Sequence, residues 1–227
     1  DRLPADDQAR HPACPGAEAR SLKSARFRGI LSAAGRRKTA RRRRILKEGL
    51  PLHRKGPVVF MAFHSVPFDS LSFNPFTKLG QEWALVTAGD ASGFNTMTVS
   101  WGAFGYIWNK PTVTVYIRPQ RYTKKFLDNG ETFTLSFYPE SYRSTLAYLG
   151  KASGWDENKV EKSGLTPVLA DGSVYFEEAA LVFVCRKLSR TPLPAENFID
   201  GDIDGKFYPD KDYHEMYIAE ITDVLVP

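Results

Sequence analysis

The chain has 227 residues, with 42% apolar and 25% charged side chains, the balance of a globular protein that buries a core without staples. No run approaches the roughly 18 apolar residues of a membrane-spanning helix, and two distant cysteines, Cys14 and Cys185, argue against a disulfide-rich scaffold and a Cys-based zinc site. The formal charge of +5 joins two unlike segments: residues 1–60 hold 16 Lys and Arg against 5 Asp and Glu (+11), and residues 61–227 hold 15 against 21 (−6).

Residues 1–60 contain Arg36-Arg37-Lys38 and the run Arg41 to Arg44, with Phe27 and Phe60 as their only aromatics. So little apolar surface cannot offset the entropy of ordering a backbone, although a short helix over 18–34 suits the composition. The segment reads as a basic extension, disordered or non-native. Its alternative use is contact by charge with nucleic acid or an acidic membrane surface. Ile45 to Phe60 is interrupted by Lys47, Glu48, Pro51, His53, Arg54, Lys55 and Pro57, which argues against a twin-arginine or secretory signal. A mitochondrial-type transit segment stays open. The composition changes near residue 60, and the acidic body, 61–227, reads as one cytoplasmic domain with neither nucleic acid nor membrane as partner.

In chain order, the Val/Thr/aromatic stretches of the body predict strands over 82–88, 95–101, 112–118, 132–138, 174–177, 179–188 and 214–225. Helices are predicted from Thr123 to a left-handed cap at Asn129-Gly130, from an N-cap at Ser141 to Leu149-Gly150, and over 156–162 between Asp156 and Ser163-Gly164. Many short strands without regular βαβ alternation indicate a mainly β barrel. Cys185 reads as a small core hydrophobe in its strand.

GxGxxG, Walker, HExxH and GxSxG signatures are missing. What remains is a polar constellation. Period-two alternation puts Thr96, Thr98 and Ser100 on one face of a strand and Met97, Val99 and Trp101 on the other. The hydroxyl face either meets water or lines a groove for a polar ligand. The next strand puts Val113, Val115 and Ile117 on one face, Thr112, Thr114, Tyr116 and Arg118 on the other, and runs into Pro119-Gln120-Arg121-Tyr122-Thr123 and a helix. A helix start with two arginines and a hydroxyl suits phosphate. The alternative is an N-cap at Thr123 and arginines paired with surface carboxylates.

These pieces resemble a known family. Asn95-Thr-Met-Thr-Val-Ser-Trp-Gly102, Lys110-Pro111, Arg118-Pro-Gln-Arg-Tyr-Thr123, Phe133 to Phe137, Gly150-Lys-Ala-Ser-Gly154, Asp156 with Lys159, Gly164 to Pro167 and His214 to Glu220 together look like the flavin reductase-like, FMN-binding split-barrel family, flavoredoxin branch. The resemblance spans about residues 68–226. It implies a split β-barrel that forms a homodimer with one FMN per subunit. Asn95, Thr96, Met97, Thr98, Ser100 and Trp101 would border the ring and ribityl chain. Arg118, Arg121, Tyr122 and Thr123 would hold the phosphate. Ser153 and Lys159 would belong to a closing loop, and His214 would handle protons beside the flavin. Where related reductases often carry Gly-Asp-His, this chain reads Asp212-Tyr213-His214. A flavin also needs a flat wall, for which Trp101, Trp108 and Tyr106 are candidates.

The activity so implied is hydride transfer from NADH or NADPH, with electrons passed to free flavin, a metal chelate or a partner protein. The alternatives are a flavoredoxin-type carrier without its own NAD(P)H turnover and, in another class, a nucleic-acid or acidic-surface binder acting through the arginine run.

Overall fold

The computed structural model describes residues 62–170 and 172–227; the expectations for residues 1–60, the helix over 18–34 among them, lie outside the described residues. The elements run β1 (His64–Ser65), α1 (Pro75–Thr77), β2 (Ala84–Asp90), β3 (Gly93–Val99), β4 (Gly102–Ile107), β5 (Lys110–Ile117), α2 (Tyr122–Asn129), β6 (Thr132–Phe137), α3 (Arg143–Lys151), α4 (Lys159–Ser163), β7 (Pro167–Ala170), β8 (Ser173–Phe176), β9 (Leu181–Pro192), α5 (Asp202–Phe207) and β10 (Glu215–Val226).

Side-chain alternation shapes the sheet. Val113, Val115 and Ile117 of β5 are fully buried, as their shared face predicts, and join Val86, Met97, Phe133, Leu135, Phe183 and Tyr217 in one core. Leu85, on the opposite face of β2, packs with Leu146, Leu149, Phe176 and Val182 in a second. The main sheet has eight strands in the order β3-β2-β6-β9-β10-β5-β4, with β1 added on β10; β7 and β8 form a separate hairpin. Every neighbouring pair is antiparallel.

The strand order has a geometric consequence. β3 and β4 lie at opposite ends of the sheet, yet only Ser100 and Trp101 separate them in the chain. Three residue steps reach at most about 11 Å, so the sheet must curl until its two edges approach. No ladder joins those edges: the barrel is split, and Ser100-Trp101 crosses the gap.

Several local expectations are corrected. α2 starts at Tyr122 with Arg121 as N-cap and ends at Gly130 in an extended conformation, not a left-handed one. Ser141 lies inside a single 3-10 turn, Glu140–Tyr142, and α3 begins after it without a side-chain cap. α4 is shorter than expected because Asn158 is the cap, its side chain accepting from the Glu161 N–H, while Gly164 closes it at φ 73°. β4 and β7 fall where no strand was predicted. β4 (Gly-Ala-Phe-Gly-Tyr-Ile) has two glycines and a largely exposed burial pattern, so it carries little strand signal. Trp108 and Asn109, both at positive φ, form the turn to β5.

Candidate functional site

Two adjoining cavities open at the split. The smaller, about 250 Å³, is lined by Met97, Thr98, Val99, Ser100, Trp101, Tyr116, Arg118, Arg121 and His214. The larger, about 590 Å³, shares Ser100, Trp101 and Tyr116 with it and adds apolar walls from Leu79, Phe104, Leu193, Phe198, Ile203 and Tyr208. The polar cavity thus gathers the ends of β3 and β5, the N-cap of α2 and the residue before β10. These are places where backbone and side-chain polar groups leave the ladder.

The hydroxyl face of β3 divides. Thr96 is fully buried, bonded to the Thr87 hydroxyl at 2.8 Å and donating to the Val86 carbonyl. Thr98 donates to the Leu146 carbonyl of α3 at 2.5 Å, and it borders the cavity with Ser100. Asn95 is buried and donates to the Thr123 hydroxyl at 2.8 Å. Thr123 is therefore a buried partner of β3 rather than the residue that opens the helix. Tyr122 stands between Phe126 and Trp155, at centroid distances of 5.3 and 4.5 Å, and Ser153 accepts from the Trp155 N–H. Asn95, Thr96, Tyr122, Thr123, Ser153 and Lys159 do not line the cavity. The 150–154 loop is nonetheless held close to it: a Cβ on Gly150 would lie 3.3 Å from Thr98, and Arg121 donates to the Gly150 carbonyl. Of the three candidate wall residues, Trp101 lines both cavities, whereas Tyr106 and Trp108 stand exposed at the tip of the β4–β5 hairpin.

The two arginines differ in their partners. Arg118 donates to both carboxylate oxygens of Asp212 and, at 2.8 Å, to the Phe207 carbonyl; Gln120 donates to the same carboxylate. Arg121 donates to the Gly150 carbonyl at 2.7 Å and to Leu149 at 3.4 Å. Lys159, buried, donates to the carbonyls of Leu149 at 3.0 Å and Ala152 at 3.2 Å. Both cations converge on the carbonyl end of α3, where the helix carries partial negative charge. Among the described residues no carboxylate forms an ion pair with either. Burial, then the neighbouring Arg121, lowers the Lys159 pKa to about 8. Burial and Arg118 push Arg121 below its ordinary value as well. An anion here would relieve both.

His214 is buried beside Trp101, their ring centroids 5.1 Å apart. Its Nδ1 is 2.9 Å from the Tyr208 hydroxyl. Burial, then Arg118, lowers its pKa to about 4 against the opposing pull of Asp212. At neutral pH the ring is therefore uncharged, with one nitrogen free to donate and the other to accept. Cys185 is a free, buried thiol whose pKa burial raises.

Sequence reasoning named Tyr116 on the polar face of its strand without counting it in the site, and it missed Tyr208, Asp212 and the apolar walls. The alternation of β5 was the available signal for Tyr116. Asp212 meets Arg118 across 94 residues, a separation at which spacing carries no information.

The split barrel places a polar cavity lined by Arg118 and Arg121 at its gap, a concave site of the kind that can hold a small ligand. The flavin reductase like domain model matches residues 76–227, and the chain belongs to that family. Among solved structures, the fold is similar to an FMN-binding domain of a flavin reductases-like enzyme from Shewanella baltica OS155 (14% identity, 74% of this chain and 78% of that chain, TM-score 0.53). It is also similar to flavoredoxin from Methanosarcina acetivorans (17%, 64% and 68%, TM-score 0.51) and to flavoredoxin of Desulfovibrio vulgaris (Miyazaki F) (24%, 64% and 69%, TM-score 0.50). At these identities the likeness is one of fold. No curated protein matches the chain. Among the described residues no helix is long and apolar enough to cross a membrane.

Proposed function

We propose that the chain is an FMN-containing oxidoreductase that takes hydride from NADH or NADPH and passes electrons to a free flavin, a metal chelate or a partner protein. One observation carries the reading. Among the described residues, the Arg121 and Lys159 side chains hydrogen-bond only to main-chain carbonyls, beside a cavity lined by Thr98, Ser100, Trp101 and His214. Surplus positive charge next to a flat apolar wall fits a ring that carries a phosphate. The family match supports it.

FMN, when bound, supplies the hydride-accepting ring and the electron relay. The chain's own part is placement. Arg121, with Lys159 behind it, holds the phosphate end. Thr98 and Ser100 offer hydroxyls along the polar wall. Trp101 provides the flat face, and His214 offers a neutral hydrogen-bonding group. Arg118 serves chiefly to fix Asp212 and the segment before β10. The adjoining apolar cavity favours a ring-bearing organic acceptor, such as a second flavin, over a metal chelate.

The reading extends to the assembly. A homodimer is supported by the exposed Phe76, Tyr106 and Trp108, at 85%, 73% and 56% exposure, large aromatics that a monomer leaves in water. Residues 61–227 are proposed as the FMN-binding domain, and 1–60 as an extension it does not need.

The test is the visible spectrum of the purified protein with added FMN, then with NADH or NADPH without oxygen. Retained flavin absorbance that bleaches supports the oxidoreductase. Retained absorbance without bleaching favours a flavoredoxin-type carrier. Failure to retain FMN contradicts both.

A further inference from the structure

We propose that Tyr208 is a positioning residue for His214: its hydroxyl donates to Nδ1 and holds the imidazole in the Nε2–H tautomer, leaving Nε2–H as the group His214 offers to the cavity. The bond is buried, 2.9 Å between two residues each under a tenth exposed. In a neutral imidazole one nitrogen donates and the other accepts, so a partner that fixes one nitrogen decides the other.

Two considerations set the direction. First, a phenol is a good donor and a poor acceptor, because its oxygen lone pair is shared with the ring. Second, the charged groups facing the pair oppose an imidazolium on balance. Arg118, from the end of β5, lies 5.2 Å over the Tyr208 ring and disfavours protonation of His214; Asp212, which favours it, is already paired with Arg118.

Tyr208 is itself clamped. Phe198 stacks on it at 5.5 Å and 11°, and Tyr213 lies at 5.1 Å. The segment between β9 and β10 thus delivers one hydroxyl to one ring nitrogen. The flavin-site reading enters only in what the Nε2–H would meet; the tautomer stands apart from it.

The test is two-bond 1H–15N spectroscopy of the full chain with labelled histidine and no flavin added, the His214 signals being assigned by their loss in His214→Gln. Wild type should show a pyridine-type Nδ1 and a pyrrole-type Nε2 near neutral pH. Tyr208→Phe keeps the ring and removes the donor, and should move the tautomer ratio about two- to tenfold toward Nδ1–H. Phe198→Leu disturbs the same packing but keeps the hydroxyl, and should leave the ratio unchanged. An Nδ1–H tautomer in wild type overturns the proposal, even where Tyr208→Phe fails to fold. So does a ratio that Tyr208→Phe leaves alone, or that Phe198→Leu shifts equally. An FMN titration run alongside separates this result from the flavin reading: a chain that binds no FMN yet shows Nε2–H contradicts that reading and upholds this one.

Discussion

Arg118 and Arg121 frame the same turn between β5 and α2, yet they end in opposite electrostatic surroundings. Arg118 meets Asp212 and is neutralised. Arg121 meets the carbonyls of α3 and shares that helix end with buried Lys159. The difference teaches that availability for a ligand depends on the counter-charge, not on the cation. At the Arg118 end the charge holds the protein's own segment. At the Arg121 end it is left over for something else.

The largest effects expected from this contrast are those of pH, at both ends. His214 has a native pKa of about 4, below its ordinary 6.5. The unfolded chain therefore binds more protons between these values, and stability falls as pH drops from 6.5 to 4, by up to about 3 kcal/mol. Above 6.5 that contribution is complete. Lys159, at about 8 against 10.5, has the same sign in an alkaline window. Its burial as a cation opposes folding below 8, and stability rises as pH climbs to 10.5, again by up to about 3 kcal/mol. Denaturant unfolding across both windows should show the acid arm lost in His214→Gln and the alkaline arm lost in Lys159→Met. A bound phosphate favours the charged ammonium, so FMN should flatten the alkaline arm and leave the acid arm alone. Equal flattening by riboflavin would break the contrast.

Removing the counter-charge is the next test. Asp212→Asn strips Arg118 of its carboxylate and weakens the hydrogen bond from Gln120, at a cost of about 1.5–3 kcal/mol in chemical unfolding. The freed guanidinium borders the polar cavity, so FMN should gain affinity relative to riboflavin. An unchanged ratio would mean that Arg118 does not reach the anion even when released.

The smallest effect concerns Thr123. Thr123→Val removes the hydroxyl that accepts from buried Asn95 and should cost about 1 kcal/mol of stability. FMN and riboflavin should lose affinity alike in parallel titrations. Selective loss of FMN would restore Thr123 to the phosphate site.

What the sequence disclosed follows from how far its physics reaches. Alternation is local, so the buried face of β5, Val113 to Ile117, was legible; β3 was legible only in part, because the strand ends at Val99, and Trp101, set by period two on the face opposite Thr98 and Ser100, lines the same cavity as they do. The β5–α2 junction was legible because a strand, a turn and a helix start leave a contiguous trace. β4 was not, since Gly102 and Gly105 dilute its alternation and its exposed aromatics resemble a loop. The pairing of Arg118 with Asp212 and that of His214 with Tyr208 depend on the path of an irregular segment containing α5. No periodicity encodes such a path. The site's residue types could therefore be read in advance, while the choice of which arginine is spent on the fold could not.

The central claim, that the Arg121–Lys159 end holds a phosphate, is tested most directly by titrating Arg121→Ala with FMN and with riboflavin, its fold checked by circular dichroism. The account predicts that FMN binding weakens about tenfold to a hundredfold, the worth of one charge-assisted hydrogen bond or two, while riboflavin binding stays close to wild type. Parallel loss of both ligands in a folded variant would contradict it, and would make Arg121 a cap for α3 and nothing more.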